Sequence, residues 1–370
     1  MNEMQCVEAI EAEALHKLPR DIRDYIRSGA DSETTLRRNK ESFKKLLIRP
    51  FCFRDVSNVD HSVTVKLGND IFKFPSPIAI APTAFHKLVC ERGELDTVEI
   101  ANKFNIPYIC STMSNASLEE IAESATPGTT LWFQVYIYKD RQVTRDLVLR
   151  AKKAGFKALV LTVDTPEMGK RRVDLVNKFK LPSNLHLGNF ESSKFGDREG
   201  TGDLNKFTAN TFDSSITWKE VKWLKDIAGL PVIIKGLMRG EDAESAILAG
   251  AAGIYVSNHG GRQLDHCMST MDALPQIARV VNKRVPILID GSFTAGTDVL
   301  KAIYLGADLV CIGRPILYGL AVGGKEGGIR VMDLLTSEFK TALKLAGMKS
   351  ITELKSEKNM IIRKEIVSKF

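Results

Sequence analysis

From residue 77 onward, short apolar segments alternate with helical ones, and this alternation constrains the fold more than any other feature. Buried strands joined by helices form a parallel sheet, and about eight repeats are typical of a TIM (β/α)8 barrel. The alternative, an open doubly wound sheet, lacks its G-x-G-x-x-G sequence after the first strand. We predict strands near 77–81, 107–110, 131–135, 158–163, 232–234, 253–256, 285–289 and 309–312, and helices near 92–105, 141–155, 241–250, 272–282 and 295–306.

The flanking regions are predicted to be an N-terminal helical extension and a C-terminal tail. Residues 1–76 combine helical spacing over 3–46 with a hairpin pattern over 62–74, which is expected to plug one end of the barrel. The barrel is assigned to 77–347 and the tail to 348–370. The gap after the fourth strand is unusually long and polar, so 183–215 is predicted to be a mobile loop on the catalytic face, acting either as a lid or as a spacer.

Composition narrows the functional classes. The net charge is +7, but acidic and basic residues are interleaved and no basic stripe carries aromatic residues, so nucleic-acid binding is not expected. The six cysteines form no C-x-x-C pair, which predicts free thiols and no metal site. No apolar run reaches the length of a spanning helix and no signal peptide opens the chain, so a membrane location is not expected either.

The most informative motif lies at 252–265, where an apolar strand ends in Ser257-Asn258-His259-Gly260-Gly261-Arg262. The paired glycines permit close approach of backbone to a ligand. His259 supplies a proton-transfer group beside the fixed cation of Arg262, a pairing suited to an α-hydroxy acid with its carboxylate. The same pattern is also compatible with a glycine-rich turn that carries two solvated side chains.

The other predicted strands also end in polar or small residues, and chemistry in a TIM barrel collects at these ends. The first four supply small or neutral hydrogen-bonding groups, the fifth supplies Lys235, and the last two supply Asp290-Gly291-Ser292 and Gly313-Arg314. Loops after the seventh and eighth strands commonly bind phosphate through backbone N–H groups. This set favours a ring cofactor that carries a phosphate.

With these residues the chain resembles the FMN-dependent L-2-hydroxy-acid oxidase family, the group of glycolate oxidase. The similarity runs from about Leu18-Pro19 to about Gly347. Its most specific parts are Ser257–Asp265, Leu161-Thr162-Val163-Asp164-Thr165-Pro166 and Ile80-Ala81-Pro82-Thr83-Ala84.

The resemblance implies roles for individual residues. His259 would be the active-site base, with Asp164 orienting it and stabilising the imidazolium. Arg171, Arg262 and Tyr25 would bind the substrate carboxylate, and Tyr136 would lie near the substrate hydroxyl. FMN would be held by the remaining set: Pro82, Thr83, Ala84, Ser111, Gln134, Thr162, Lys235, Ser257, Asp290, Gly291, Gly313 and Arg314.

The implied reaction is oxidation of an L-2-hydroxy acid to a 2-oxo acid through FMN, with O2 reduced to hydrogen peroxide. Three alternatives stay open: a dehydrogenase of the same acids with another electron acceptor, a different phosphate-binding barrel enzyme, and a catalytically silent flavin-binding scaffold. Relatives suggest a homotetramer. The final Ser368-Lys369-Phe370 resembles the Ser-Lys-Leu peroxisomal address, which implies an import receptor as partner and a peroxisomal rather than cytoplasmic location.

The chain departs from the family pattern at three places. Met113 stands where short-chain members often carry tryptophan, which favours a 2-hydroxy acid longer than glycolate. Ser292 and Thr294 replace the usual second glycine and the phosphate-binding arginine. The stretch 190–213 also has little similarity to the family, so no gating role is carried over to it.

The loss of that arginine predicts weaker FMN retention. Without one charge-assisted contact, binding should weaken by on the order of 1–3 kcal/mol. We expect the flavin to dissociate during long dialysis, measured as the ratio of flavin to protein absorbance. A stoichiometric flavin that stays bound would contradict this.

Overall fold

Eight parallel strands close into a barrel in the computed structural model, which describes residues 4–190 and 204–364. The strand order is β10-β11-β4-β5-β6-β7-β8-β9, and β11 pairs with β4 to complete the ring. The barrel strands are β4 (Ile78–Ile80), β5 (Tyr108–Cys110), β6 (Leu131–Val135), β7 (Ala158–Thr162), β8 (Val232–Leu237), β9 (Gly253–Val256), β10 (Ile287–Ile289) and β11 (Leu309–Ile312). The predicted TIM barrel is confirmed, with every predicted strand in the ring.

Helices cover the outside of this ring. They are α4 (Glu94–Phe104), α5 (Leu118–Glu123), α6 (Arg141–Lys153), α7 (Arg172–Asn177), α8 (Leu204–Thr211), α9 (Lys219–Ala228), α10 (Gly240–Leu248), α11 (Thr270–Val281), α12 (Gly296–Tyr304) and α13 (Arg314–Leu345). Before the barrel lie α1 (Val7–Lys17), α2 (Arg20–Arg27), α3 (Thr34–Lys44), β1 (Leu46–Ile48), β2 (Val63–Leu67) and β3 (Asp70–Phe74); after it lie α14 (Ile351–Ser356) and β12 (Ile361–Arg363).

The barrel strands have the burial expected of a parallel sheet covered by helices. Every residue of Leu131–Val135 and of Ala158–Thr162 is buried, which explains why the sequence shows continuous apolar runs rather than alternation. The fifth strand differs from the prediction of 232–234. It continues to Leu237 through an irregularity between Lys235 and Leu237 in its pairing with β9. Such a bulge reorients side chains at the rim of a barrel.

The β2–β3 hairpin packs at the amino-terminal end of the barrel. Val63 pairs with Phe74 and Leu67 with Asp70, and burial alternates along β2. Phe72 and Phe74 contact the Trp132 ring edge-on at 6.1 and 6.5 Å, at the start of β6. The hairpin therefore supplies the apolar layer that the barrel interior needs at this end.

The long segment after β7 is partly described. Residues 183–190 contain a 3-10 turn, Gly188–Phe190, and 204–215 contain α8; the intervening 191–203 lie outside the described residues. Tyr138 contacts Phe190 at 5.7 Å and Phe212 at 5.4 Å between ring centroids. The described flanks of the predicted 183–215 loop are thus packed against the barrel, and the lid and spacer hypotheses for this loop stay predictions.

The C-terminal segment is packed as well. Met348, Ile351, Leu354 and Met360 are buried, and β12 pairs antiparallel with β1. The segment assigned to a tail is therefore part of the folded body as far as Arg363. The tripeptide Ser368–Phe370 lies outside the described residues. Across the described ranges, no helix combines the length and the apolarity needed to cross a bilayer.

We expect Leu67→Ala to destabilise the protein, because Leu67 is 0% exposed where the hairpin meets the barrel. Truncating a fully buried leucine leaves a cavity and costs about 2–5 kcal/mol. The matched control is Lys66→Ala, one residue away on the exposed face of the same strand. Urea unfolding of both variants measures the difference; equal midpoints would show that the hairpin is not part of the core.

Candidate active site

A cavity of about 1510 Å³, counted with its open mouth, lies at the carboxyl ends of the barrel strands. It collects side chains from all eight strand ends and from α2, as the (β/α)8 topology requires. Almost all of the predicted site residues line it: Tyr25, Pro82, Thr83, Ala84, Ser111, Gln134, Tyr136, Thr162, Arg171, Lys235, His259, Arg262, Asp290, Gly291, Gly313 and Arg314. Asp164 and Ser257 do not line the cavity, but each is hydrogen-bonded to residues that do: Asp164 to His259, and Ser257 to His259 and Lys235.

His259 and Asp164 form the predicted pair. The Nδ1 atom of His259 lies 2.9 Å from Oδ1 of Asp164, so the other ring nitrogen, Nε2, is left for a ligand. His259 has a φ of +57°, a left-handed conformation that costs energy for a residue with a Cβ. The hydroxyl of Ser257 accepts the His259 N–H at 3.0 Å and helps to hold this turn.

An amide pair fixes the same turn to the N-terminal extension. Asn39 and Asn258 donate to each other through their side chains, at 2.9 and 2.8 Å. The Asn258 Oδ1 atom also accepts from the Gly261 N–H at 3.1 Å. All these groups are buried and satisfied, so the amide pair orients the turn instead of leaving polar atoms unpaired.

The charges behind His259 alternate in sign. Lys235 is 4% exposed and its Nζ lies 4.0 Å from carboxylate oxygens of both Asp164 and Asp290. Burial alone would raise the pKa of Asp164, but His259 and Lys235 outweigh it and hold that pKa at about 2. Burial lowers the pKa of His259, against the opposing charge of Asp164. The pair is therefore a carboxylate and a neutral imidazole near neutral pH.

Close approach at this point depends on Gly236, in the bulge of β8. Its φ is +108°, and a Cβ there would come within 2.6 Å of the Asp164 Cβ. A side chain at Gly236 would displace the carboxylate that holds His259, so the glycine is required by contact as well as by backbone conformation.

Two arginines face the cavity from the substrate side. Arg171 is buried, its Nε has no hydrogen-bond partner among the described residues, and burial and Arg262 lower its pKa to about 10. The Arg262 guanidinium lies over the Tyr25 ring at 4.9 Å and donates to the Tyr25 carbonyl at 2.7 Å. An incompletely paired buried cation beside a second one is electrostatically costly, and an anion bound between them would relieve that cost.

Arg314 has partners that the sequence did not predict. Its guanidinium donates to the carbonyls of Ile26, Ser28 and Gly260, at 2.9–3.0 Å. These are carbonyls at the C-terminal end of α2 and in the His259 turn. The Arg314 side chain thus joins α2 to the barrel. The contact of Arg314 with the FMN phosphate stays a prediction.

The wall opposite His259 carries neutral polar groups. The side-chain amide of Gln134 donates to Thr162 Oγ1 at 3.0 Å, and its carbonyl oxygen accepts from the Thr112 N–H at 3.1 Å. Pro82 and Ala84 are small and apolar. A flat, hydrogen-bonding ring fits such a wall.

The loop after β10 has an unusual backbone. Ser292 keeps a glycine-like φ of +66°, and its buried hydroxyl has no partner within the described part of the chain. Asp290 Oδ1 is likewise buried and unpaired there. Thr294 donates its hydroxyl to Glu8 at 2.7 Å. Orphaned polar atoms on a cavity wall are satisfied when a polar ligand binds, so these residues fit the ribityl phosphate part of FMN.

Several cavity residues were missed by the sequence analysis. They come from the N-terminal helices, the loops after β7 and β10, the segment around α8, and α13, and include Glu11, Leu36, Lys40, Met168, Thr208, Phe212, Phe293 and Tyr318. Phe212 stacks on Tyr136 with centroids 4.3 Å apart. Nothing in local spacing identifies such residues, because they reach the cavity through packing of distant segments.

Comparison with known proteins identifies the family. The FMN-dependent dehydrogenase family matches residues 14–361. A 2-hydroxyacid oxidase of Dictyostelium discoideum is 46% identical over 94% of this chain and 88% of that protein, and the glycolate oxidase of Spinacia oleracea is 42% identical over 95% and 94%. A mandelate oxidase crystallised with (S)-4-hydroxymandelic acid superposes with a TM-score of 0.90 at 35% identity, over 97% of this chain and 99% of that one.

The chain belongs to the FMN-dependent dehydrogenase family. The predicted resemblance, the FMN cofactor and the class of 2-hydroxy-acid oxidase are thereby confirmed.

The contacts of Arg314 lead to a prediction about α2. Arg314→Leu should remove three charge-assisted hydrogen bonds, to the carbonyls of Ile26, Ser28 and Gly260, and lower the free energy of unfolding by about 3 kcal/mol. Amide hydrogen exchange in residues 20–30 should become faster. Arg37→Leu is the control, since Arg37 donates to a main-chain carbonyl, that of Ser32, at an exposed position. Unchanged exchange in the Arg314 variant would show that α2 is held by other contacts.

Proposed function

We propose that this protein oxidises an L-2-hydroxy acid to the 2-oxo acid through FMN, with O2 as the final electron acceptor and hydrogen peroxide as product. The observation that carries the proposal is the grouping of Arg171, Arg262 and Tyr25 beside the His259–Asp164 pair. It combines a site for a carboxylate with a base held in one tautomer.

In this proposal the arginines orient the substrate. Arg171 offers a buried guanidinium with an unused Nε–H, and Arg262 exchanges part of its bonding to main-chain carbonyls for the substrate carboxylate. Burial raises the pKa of Tyr136, so its phenol stays protonated and donates to the substrate hydroxyl oxygen. Hydrogen bonds from Arg171, Arg262 and Tyr136 then set the orientation of the substrate α-carbon.

Proton transfer falls to His259. Its Nδ1 is bonded to Asp164, so Nε2 accepts the proton, whether that proton leaves the α-carbon or the hydroxyl. Asp164 stabilises the resulting imidazolium without taking the proton itself. FMN, when bound, would supply the two-electron acceptor, and O2 would be the oxidant that regenerates it. Pro82–Ala84, Ser111, Gln134 and Thr162 would hold its ring, and Lys235 would stabilise negative charge there.

The substrate side chain is proposed to be longer than that of glycolate. Met113 is 8% exposed and lines the cavity together with Met168 and Phe212. Methionine side chains adapt to varied apolar shapes, and no indole fills this space. An aliphatic or aromatic substituent on the α-carbon would be accommodated by these three residues.

A peroxisomal location is proposed for the same enzyme. It is supported by Ser368-Lys369-Phe370 and by 41% identity, over 96% of both chains, to a peroxisomal (S)-2-hydroxyacid oxidase of Arabidopsis thaliana. A fluorescent fusion should lose its punctate distribution when the tripeptide is deleted. The family resemblance also supports a homotetramer, which sedimentation measures directly.

The function is tested by anaerobic reduction of the FMN-loaded protein. L-2-hydroxy acids of increasing chain length should bleach the flavin absorbance, faster for substituted acids than for glycolate, and air should restore the colour. Met113→Trp should shift the preference towards glycolate. Slow return of colour in air would favour a dehydrogenase with another acceptor, and a flavin that no acid bleaches would favour the silent scaffold.

The His259–Asp164 pair predicts a pH profile. Since the base works in its neutral form and burial lowers its pKa, kcat/KM should rise with pH through a value below the usual 6.5. Asp164→Asn removes a charge that favours the imidazolium, so this rise should move to lower pH. The plateau should fall about 100-fold or more.

Thr165→Val is the control for that variant. Its hydroxyl donates to Asp164 Oδ1 at 3.0 Å, so the substitution removes one hydrogen bond and keeps the charge. We expect less than a tenfold change. An unshifted profile in Asp164→Asn would assign the base to another residue.

A further inference from the structure

Behind the cavity wall lies a buried histidine to which the proposed function gives no role. His86 is 0% exposed and begins the 3-10 turn His86–Leu88 after β4. Each of its ring nitrogens contacts a threonine hydroxyl: Nε2 lies 2.6 Å from Thr83 Oγ1, and Nδ1 lies 2.7 Å from Thr97 Oγ1. Because both ring nitrogens of this buried side chain have a hydrogen-bond partner, the orientation of the ring is fixed.

The direction of these hydrogen bonds follows from Thr97. Its hydroxyl donates to the Gly93 carbonyl at 3.3 Å, one turn back at the start of α4. A hydroxyl has one proton, so while Thr97 donates to Gly93 it accepts from His86, and Nδ1 carries the hydrogen in that arrangement. Burial lowers the pKa of His86, against the opposing effects of Glu94 and of a hydrogen bond with the Thr83 main chain, so the ring is neutral. With the hydrogen on Nδ1, Nε2 is an acceptor. Thr83 therefore donates to His86.

The position of His86 is set independently of the cavity. Oε1 of the buried Glu94 accepts from the main-chain N–H groups of His86 and Asn115, both at 3.0 Å. Its Oε2 accepts from Ala116 at 3.3 Å. The loops after β4 and β5 are thus joined through one carboxylate, which fixes the backbone of the histidine before any ligand binds.

The consequence concerns Thr83, the member of this chain of hydrogen bonds that lines the cavity. The hydroxyl proton of Thr83 is directed away from the cavity, towards His86. Its oxygen can therefore accept a hydrogen bond from a bound molecule but cannot donate one. In the other neutral tautomer, Nε2–H would donate to Thr83 and free the threonine proton for the cavity. The tautomer of His86 therefore decides whether Thr83 accepts or donates there.

We propose that His86 is a positioning residue for the cofactor: the chain Gly93–Thr97–His86–Thr83 holds the Thr83 hydroxyl as an acceptor towards the flavin ring. The inference rests on the proposed function, in which Thr83 lies beside that ring. Two-electron reduction adds N–H groups to an isoalloxazine, so a fixed acceptor binds the reduced form more tightly than the oxidised form. His86 thereby raises the reduction potential of the bound FMN.

The test is Thr97→Val in the FMN-loaded protein, with Thr97→Ser as the matched control. Valine keeps the shape of the buried Thr97 but gives Nδ1–H no acceptor, so the tautomer should reverse; serine keeps the hydroxyl. The affinity for reduced relative to oxidised FMN should fall about three- to tenfold. For a two-electron couple this lowers the midpoint potential by about 15–30 mV, measured against a reference dye.

A second measurement needs no variant. Nitrogen-15 NMR of histidine-labelled wild-type protein should show His86 neutral, with hydrogen on Nδ1 and none on Nε2. The opposite tautomer, a charged ring, or an unchanged potential in folded Thr97→Val would overturn the inference. If Thr97→Val does not fold, the wild-type tautomer decides.

These results are separable from the proposed function. A wild-type protein whose flavin no hydroxy acid bleaches contradicts the function, while the potential shift and the tautomer still report on His86. Conversely, an active wild-type enzyme with an Nε2–H tautomer contradicts the role of His86 alone.

Discussion

The pairing of the last barrel strand with the first is the constraint on which the rest of the structure depends. Val310 aligns with Ile78 and Ile312 with Ile80, and only this closure brings the end of β11 beside the end of β4. All eight carboxyl ends then surround one cavity, so Thr83 and Gly313 become neighbours although most of the chain separates them. Because the strands are buried on both faces, their polar side chains can reach a ligand only at the strand ends.

Each buried charge in the site would be energetically unfavourable without a partner of opposite charge. Lys235 between Asp164 and Asp290 forms a compensated buried group, and such a group is stable only while each partner stays in place. Arg171 is different, since burial depresses its pKa and its Nε has no hydrogen-bond partner in the described part of the chain. The His259–Asp164 pair is thus pre-formed, whereas the side that carries Arg171 retains electrostatic energy that a bound anion would release. This division suits a site that must hold its base rigidly and still exchange substrate and product.

Much of this arrangement could be predicted from sequence, because apolar periodicity locates strands and topology locates their ends. His259, Lys235 and Asp290 were found in this way, and their contacts follow from barrel register. What could not be predicted depends on packing between distant segments. The bulge after Lys235, the carbonyl partners of Arg314 and the contribution of Phe212 are not encoded in any local spacing. The packed segment 348–364 was missed for the same reason: its partner strand β1 lies more than three hundred residues earlier.

The arginine contacts of α2 also set an order of events during synthesis. Ile26 and Ser28 leave the ribosome early, but their donors, Arg262 and Arg314, follow 234–288 residues later. An eight-residue, mostly charged helix has too little intrinsic stability to wait in its final form. The wall that carries Tyr25 is therefore completed only when the barrel has nearly closed. A nascent chain would therefore complete the wall that carries Tyr25 together with the last barrel strands and not before them.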